Sequence, residues 1–175
     1  MTIANDILLD SLDRVYETVH HVVSGLGPDE LAERLGENSS ASTNSIAWLV
    51  WHLARVQDDH IASAAGTGQL WATDGWEKRF GLPFETEATG YGQTSVEVSA
   101  VRVESGDLLT GYFDAVHERT IAYVRTLTEG DLAAVVDTSW EPPVTLAARL
   151  VSVINDCTQH VGQAAFLRGI VRSRA

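Results

Sequence analysis

LVSVINDCTQHVGQAAFLRG, residues 150–169, sets an aspartate, a cysteine and a histidine within about one turn of what otherwise reads as an apolar helix. Read outward, the pattern becomes the longest periodic segment of the chain. Thr145 caps it after Pro142-Pro143. Leu146, Leu150, Val153, Cys157, His160, Ala164, Leu167 and Val171 then follow at alternating steps of four and three, the spacing that lines one helical face. Such a stripe has to be buried against other stripes, and the upstream sequence supplies three.

The first runs through Leu8, Leu12, Val15, Val19, Val22 and Leu26 and stops at Gly27-Pro28. The second starts at Thr43 or Asn44 as cap and continues through Ile46, Leu49, Leu53, Val56 and His60 to Gly66 and Gly68. The third starts at Ser105 and passes through Leu109, Phe113, Val116, Thr120, Tyr123 and Leu127, with Thr128 opening a short linking turn. Four mutually burying stripes predict an all-α four-helix bundle. About 35 residues join the second helix to the third, far more than neighbouring helices need, so a topology other than simple up-down-up-down is allowed. This glycine-rich connection either covers one end of the bundle or lets Trp71, Trp76 and Phe80 wall a ligand pocket.

The 175 residues, 45% of them hydrophobic, are expected to form one domain, 1–175. A formal charge of -12 leaves no basic face for nucleic acid or an anionic membrane, so neither is expected as a partner. The single cysteine, Cys157, excludes an intramolecular disulfide and fits a reducing compartment. With no leader pattern and no apolar run of membrane-spanning length, the expected location is the cytoplasm.

The polar residues that fall on buried faces carry the functional argument. Asp156 and His160 are four apart and stack on one face of the last helix. A buried carboxylate has to be paired, protonated or bound to a cation, so a histidine-aspartate hydrogen bond and a metal site both fit. His52, in WLVWHLARVQDDHIA at residues 48–62, also faces the core or its edge. Together His52, Asp156 and His160 make a ligand set suited to zinc, nickel, iron or manganese, with coordination positions left open.

Around that set, Trp48 precedes His52 by one turn, Asp59 follows it on the same face, and Gln163 stands beside His160. All three are candidates for holding substrate or orienting a ligand, together with Trp71 and Trp76. Gly162 suggests close helix contact or room for a bound group. Cys157 reads as a small core residue, Asp58 and Asp59 as partly solvated, and His20, His21 and His117 as surface residues. No catalytic side chain is assigned.

The stretch WLVWHLARVQDDHIA, followed about a hundred residues later by LVSVINDCTQHVGQAAFLRG, resembles the DinB-like (DinB/YfiT) metalloprotein superfamily, in particular its actinobacterial branch of small domains. The superfamily includes the mycothiol-dependent maleylpyruvate isomerases. The resemblance implies a four-helix bundle holding a divalent metal, zinc or nickel, through a histidine on the second helix and a pair spaced four apart on the last. Many members have histidine at both positions of that pair; the isomerases, like this chain with Asp156, have an acidic residue first. They also carry an extra C-terminal domain, which is not expected here.

The resemblance further implies mycothiol as thiol cosubstrate, and it raises the expectation of a homodimer. The expected activity is metal-dependent activation of such a thiol for transfer to, or isomerisation of, a small electrophile. Metal-dependent hydrolysis and a non-enzymatic small-molecule-binding bundle are the alternatives.

Overall fold

The computed structural model describes residues 2–36 and 43–174. Four long helices form the frame: α1 (Ile3–Val23), α3 (Ile46–Ala65), α7 (Gly106–Thr126) and α9 (Leu146–Arg174). Short helices fill the connections: α2 (Pro28–Ala32), α4 (Leu70–Thr73), α5 (Trp76–Phe80), α6 (Ser95–Ala100) and α8 (Glu129–Ala133). A small antiparallel pair, β1 (Val135–Asp137) with β2 (Val144–Thr145), leads into α9.

Three of the four long helices start where a side chain satisfies a free N–H group. Thr2 and Asn5 form a capping box on α1, and Thr145 Oγ1 accepts the N–H of Ala148 at the start of α9. On α3 the cap is Ser45, whose Oγ accepts from Trp48 N at 3.1 Å, and not Thr43 or Asn44. Thr43 is engaged elsewhere, its Oγ1 accepting the N–H of Leu35. Ser105 stands at the cap of α7, although its side chain makes no capping bond. Gly66 ends α3 in the left-handed conformation, φ +66°.

The four stripes meet as expected, α1 packing on α7 and α9, and α3 packing on the same two. Directions follow from the contacts. Asn5 at the start of α1 donates to the carbonyls of Val124 and Leu127 at the end of α7, so α1 and α7 are antiparallel. Leu8 and Leu12 share a cluster with Leu146 and Leu150, and Arg168 donates to Val22 O at the other end, so α1 and α9 run together. Tyr112 reaches Asp58, and Tyr123 reaches Ala64, so α3 and α7 are parallel. Two consecutive long helices that run parallel need a connection as long as the bundle, and the stretch from Gly66 to Ser105 is that connection.

It is fixed by a buried charge pair. Arg55 of α3, with no exposed surface, donates to the carbonyls of Thr86 at 3.2 Å and Ala88 at 3.1 Å and to Gln69 Oε1 at 2.8 Å. Asp58, 2% exposed, accepts from Leu70 N, Trp71 N and the Tyr112 hydroxyl at 3.0, 2.8 and 2.9 Å. The expectation that Asp58 is partly solvated is thus corrected. A buried carboxylate persists because three donors and the Arg55 guanidinium, 3.8 Å away, replace its water. Both charges serve to tie the crossover down along α3.

Trp71 and Phe80 of the crossover are core residues, and Trp76 packs against that core. Trp71 is 3% exposed, and Trp71, Trp76 and Phe80 all pack on the Tyr112 ring with centroids 5.3, 5.6 and 5.9 Å away. They cover the α3–α7 side of the bundle. His117 also moves from the expected surface to the interior: it is 8% exposed, stacked on Tyr16 and held at 3.2 Å by Asp13. Its place follows from helical drift, since Val116 and His117 are both buried beside Thr120. Cys157 is fully buried, as expected of a core residue.

Candidate metal centre

His52, Asp156 and His160 meet between α3 and α9. One ligand atom from each lies within 4.8 Å of the other two, and among the described residues this is the group of three or more such side chains that comes together. The imidazoles of His52 and His160 meet edge to face, their centroids 4.7 Å apart. Donor atoms about 2.1 Å from a zinc ion are about 3.4 Å apart in a tetrahedron. The observed group, with its ligand atoms within 4.8 Å of one another, is somewhat wider than that.

His52 is the anchored member. Its Nδ1 lies 2.5 Å from the carbonyl oxygen of Thr89, and only a protonated nitrogen can bond there, so Nδ1 carries the hydrogen and Nε2 keeps its lone pair. Trp48 stacks on the ring at 4.5 Å and is itself held by Gln93, to which its Nε1 donates at 2.7 Å. Gly90 lets the loop approach this closely. A Cβ there would stand 2.7 Å from His52 Nδ1 and about 3 Å from both Trp48 and Trp51, and the backbone is left-handed at φ +98°. A carbonyl that orients a histidine through its second nitrogen is a recurrent support of metal ligands.

On α9, Asp156 and His160 stack one turn apart, Oδ1 to Nε2 3.5 Å, and His160 Nδ1 is 3.4 Å from Gln163 Oε1. These are long contacts that leave both side chains undersaturated. The other oxygen of Asp156, Oδ2, is buried and has no partner among the described residues. A carboxylate oxygen taken from water without compensation is costly, and a cation between the three side chains supplies what is missing. The residues present therefore fit a divalent ion.

Electrostatics prepare the group for that role. Burial pushes the His52 pKa below its ordinary value, against the opposing pull of the Thr89 carbonyl, so the ring is neutral. Burial would raise the Asp156 carboxyl, but the hydrogen bond with His160 and the charges of His160, His52 and His60 outweigh it and hold it lower than usual. The same hydrogen bond raises His160. A metal binds neutral imidazole and ionised carboxylate, which are the states favoured at His52 and Asp156.

The group opens on a cavity of about 410 Å3 lined by His52, Asp59, His60, Thr89, Tyr91 and Asp156, among others. Asp59 stands there as expected, its Oδ1 accepting from Gln69 Nε2 at 2.7 Å. Gln163 and Gly162 line a second cavity of about 640 Å3 on the other side of His160. Gly162 has open space beside it, so of the two expectations for it room holds and close helix contact does not. Trp48 stacks on His52, whereas Trp71 and Trp76 are spent on the core. Thr89 and Tyr91 form the wall assigned from sequence to the tryptophans.

His160 sits at the edge of its helix's stripe, half-buried, with Val161 taking the core position. This offset is what turns it toward His52 of α3. Cys157, one residue after Asp156, points the other way: Sγ is 3.7 Å from Leu53 O and from Gln57 Oε1, and burial raises its pKa strongly. It supplies neither a thiolate nor a ligand. Sequence reasoning missed Thr89 and Gly90, because a backbone carbonyl has no residue signature; the ATGYG run at 88–92 was the one available hint.

Comparison with known proteins places the chain. The sequence model described as mycothiol S-transferase matches residues 7–173. A crystal structure from Enterococcus faecalis, titled as that of a conserved protein, is 30% identical, covers 99% of both chains and superposes with a TM-score of 0.89. No curated protein matches the chain.

Proposed function

The chain belongs to the mycothiol S-transferase family, and from that premise we propose that it is a metal-dependent cytoplasmic enzyme that transfers mycothiol or a similar small thiol to an electrophile. The observation that supports this most is the convergence of His52, Asp156 and His160 from two antiparallel helices, with a buried Asp156 oxygen that has no partner among the described residues. A divalent ion held there, zinc or nickel, supplies Lewis acidity that lowers the pKa of a thiol at its open positions.

The chain's own residues account for the rest. Thr89 fixes the His52 tautomer so that Nε2 faces the other two ligands. Trp48 shields one face of that ring and keeps water from it. Asp156 brings one negative charge, which leaves a divalent site cationic and receptive to an anionic sulfur. Cys157 is buried and its thiol is held protonated, so the attacking sulfur has to come from outside the protein. The adjacent cavity is large enough for a small electrophile and opens directly on His52 and Asp156. No helix among the described residues is long and apolar enough to cross a membrane, in keeping with a freely diffusing thiol.

The test is turnover of an electrophile by protein purified without a metal-binding tag, with and without mycothiol. Activity is expected to require the thiol, to vanish with a chelator and to return with zinc or nickel. Thiol-independent ester cleavage would instead support hydrolysis. A chelator that changes neither ligand binding nor melting temperature would support a non-catalytic bundle.

A further inference from the structure

The cavity beside the metal ligands contains a histidine that binding of the ion does not use. His60, two turns beyond His52 on α3, lines it together with Asp59, Tyr91 and Ser152. Its Nδ1 is 3.0 Å from Arg149 Nη1, and Arg149 is held in turn by Asp137, Nη2 to Oδ2 2.7 Å. A guanidinium carries donors only and does not deprotonate in a protein. Nδ1 of His60 therefore accepts, and the single ring proton sits on Nε2. Asp59 cannot reverse this, since its Oδ2 is 3.8 Å from Nδ1 and its Oδ1 is engaged by Gln69.

Burial and the Arg149 charge also keep this imidazole below its usual pKa, against Asp59, Asp156 and Asp137. No described residue pairs with Nε2. The ring is thus a fixed, uncharged donor on the cavity wall. It is a poor acid, because losing its proton would leave an imidazolate. It is well suited to bond an oxygen on which negative charge grows, a use of neutral imidazole known from other enzymes.

We propose that His60, positioned by Arg149, binds the electrophile by donating Nε2–H to a carbonyl oxygen conjugated with the reacting carbon, which makes uncharged α,β-unsaturated carbonyl compounds the substrate class. The proposal rests on the thiol-transfer reading above. The thiol gives its proton to solvent and its sulfur bonds to the β-carbon. The C=C electron pair moves toward the carbonyl oxygen, where the His60 hydrogen bond stabilises the enolate, and solvent then protonates the α-carbon. Asp59, which lines this wall beside His60, disfavours a substrate with its own carboxylate there.

Two experiments separate this proposal from the reading it rests on. In protein with 15N-labelled histidine at neutral pH, His60 is expected as the pure Nε2–H tautomer, with a saturable shift of that signal on adding cyclohexanone, a ketone that cannot accept a thiol. Arg149→Met should mix the tautomers. An Nδ1–H ring, or no response to cyclohexanone, overturns the proposal whether or not metal binding and thiol transfer hold. In turnover with mycothiol, His60→Phe should lower kcat/KM for 2-cyclohexenone by about 100- to 1000-fold, the cost of removing one donor to a developing oxyanion. It should leave benzyl chloride, which has no oxygen acceptor, and the Kd for mycothiol within about twofold. Equal losses on both electrophiles, or none on the enone, would equally overturn it.

Discussion

Two clusters of histidine and carboxylate lie on opposite sides of this bundle and have come to different ends. Between α3 and α9, His52, His160 and Asp156 turn three donor atoms toward one another across open space. Between α1 and α7, His20 binds Asp114 at 2.7 Å and His117 binds Asp13 at 3.2 Å, with the Tyr16 ring between the two imidazoles, 4.5 Å from each centroid. The residue types are the same. On the α1–α7 side every imidazole has its own carboxylate and an aromatic ring occupies the centre; on the α3–α9 side one carboxylate serves two imidazoles and keeps an oxygen unpaired. Among the described residues His117 Nδ1 is also buried without a partner, but no second and third donor stand beside it there. What distinguishes a metal centre from a packed polar cluster is the space between the donors and the deficit in their pairing.

Breaking the first cluster should have the largest effect. His52→Ala is expected to bring zinc or nickel content of tag-free protein close to zero, while His117→Ala leaves it at the wild-type value. The loss should exceed the 10- to 100-fold that follows removal of a residue that only orients a ligand. Elemental analysis of both variants checks this, and equal metal content in the two would erase the distinction.

A smaller effect is expected from Gly90→Ala, which touches the metal side through its support alone. The methyl would collide with His52 Nδ1 and the backbone there is left-handed, so a cost of about 1–3 kcal/mol in folding is expected together with weaker metal binding. Thermal unfolding with and without added zinc measures both. A variant as stable as the parent, with unchanged affinity, would show that the loop does not set the His52 orientation.

The smallest effect concerns the α1–α7 side and pH. Burial holds the His117 pKa below its ordinary value, only partly offset by Asp13, so the unfolded chain binds this proton more readily than the folded one. Stability from this group is therefore present above the unfolded pKa of about 6.5 and declines as pH falls below it. His117→Phe, which keeps an aromatic ring beside Tyr16, should flatten that decline in urea midpoints measured from pH 7 to pH 5. An identical slope in the variant would assign the loss to other groups.

Much of this was legible beforehand for reasons that can be named. Leu8 to Val22, Ile46 to Leu53, Leu109 to Thr120 and Leu146 to Val171 repeat at the helical period, and that period alone fixes which face is buried. His52 and the Asp156–His160 pair stood out because they interrupt those faces with groups that are costly to bury. Other assignments failed for an equally physical reason. Asp58 and His117 were read as solvated from their polarity, yet Asp58 is compensated by donors from α4 and α7, and His117 by Asp13 and Tyr16 of α1, partners that lie far away in sequence. Trp71 and Trp76 looked available for a ligand because the crossover has no period to say which way they point.

The sequence by itself determined the four helices, their buried faces and two of the places where those faces carry side chains of metal-ligating type, since these follow from local periodicity and the cost of burying charge. The tertiary structure alone decided that α3 and α9 run antiparallel so that His52 meets Asp156 and His160, and that Arg55 holds the crossover where Thr89 can fix the His52 tautomer. It also decided that Arg149 sets the His60 tautomer from the other helix. A donor's protonation state and direction depend on what lies within 3 Å of it in space, and no spacing along the chain encodes that.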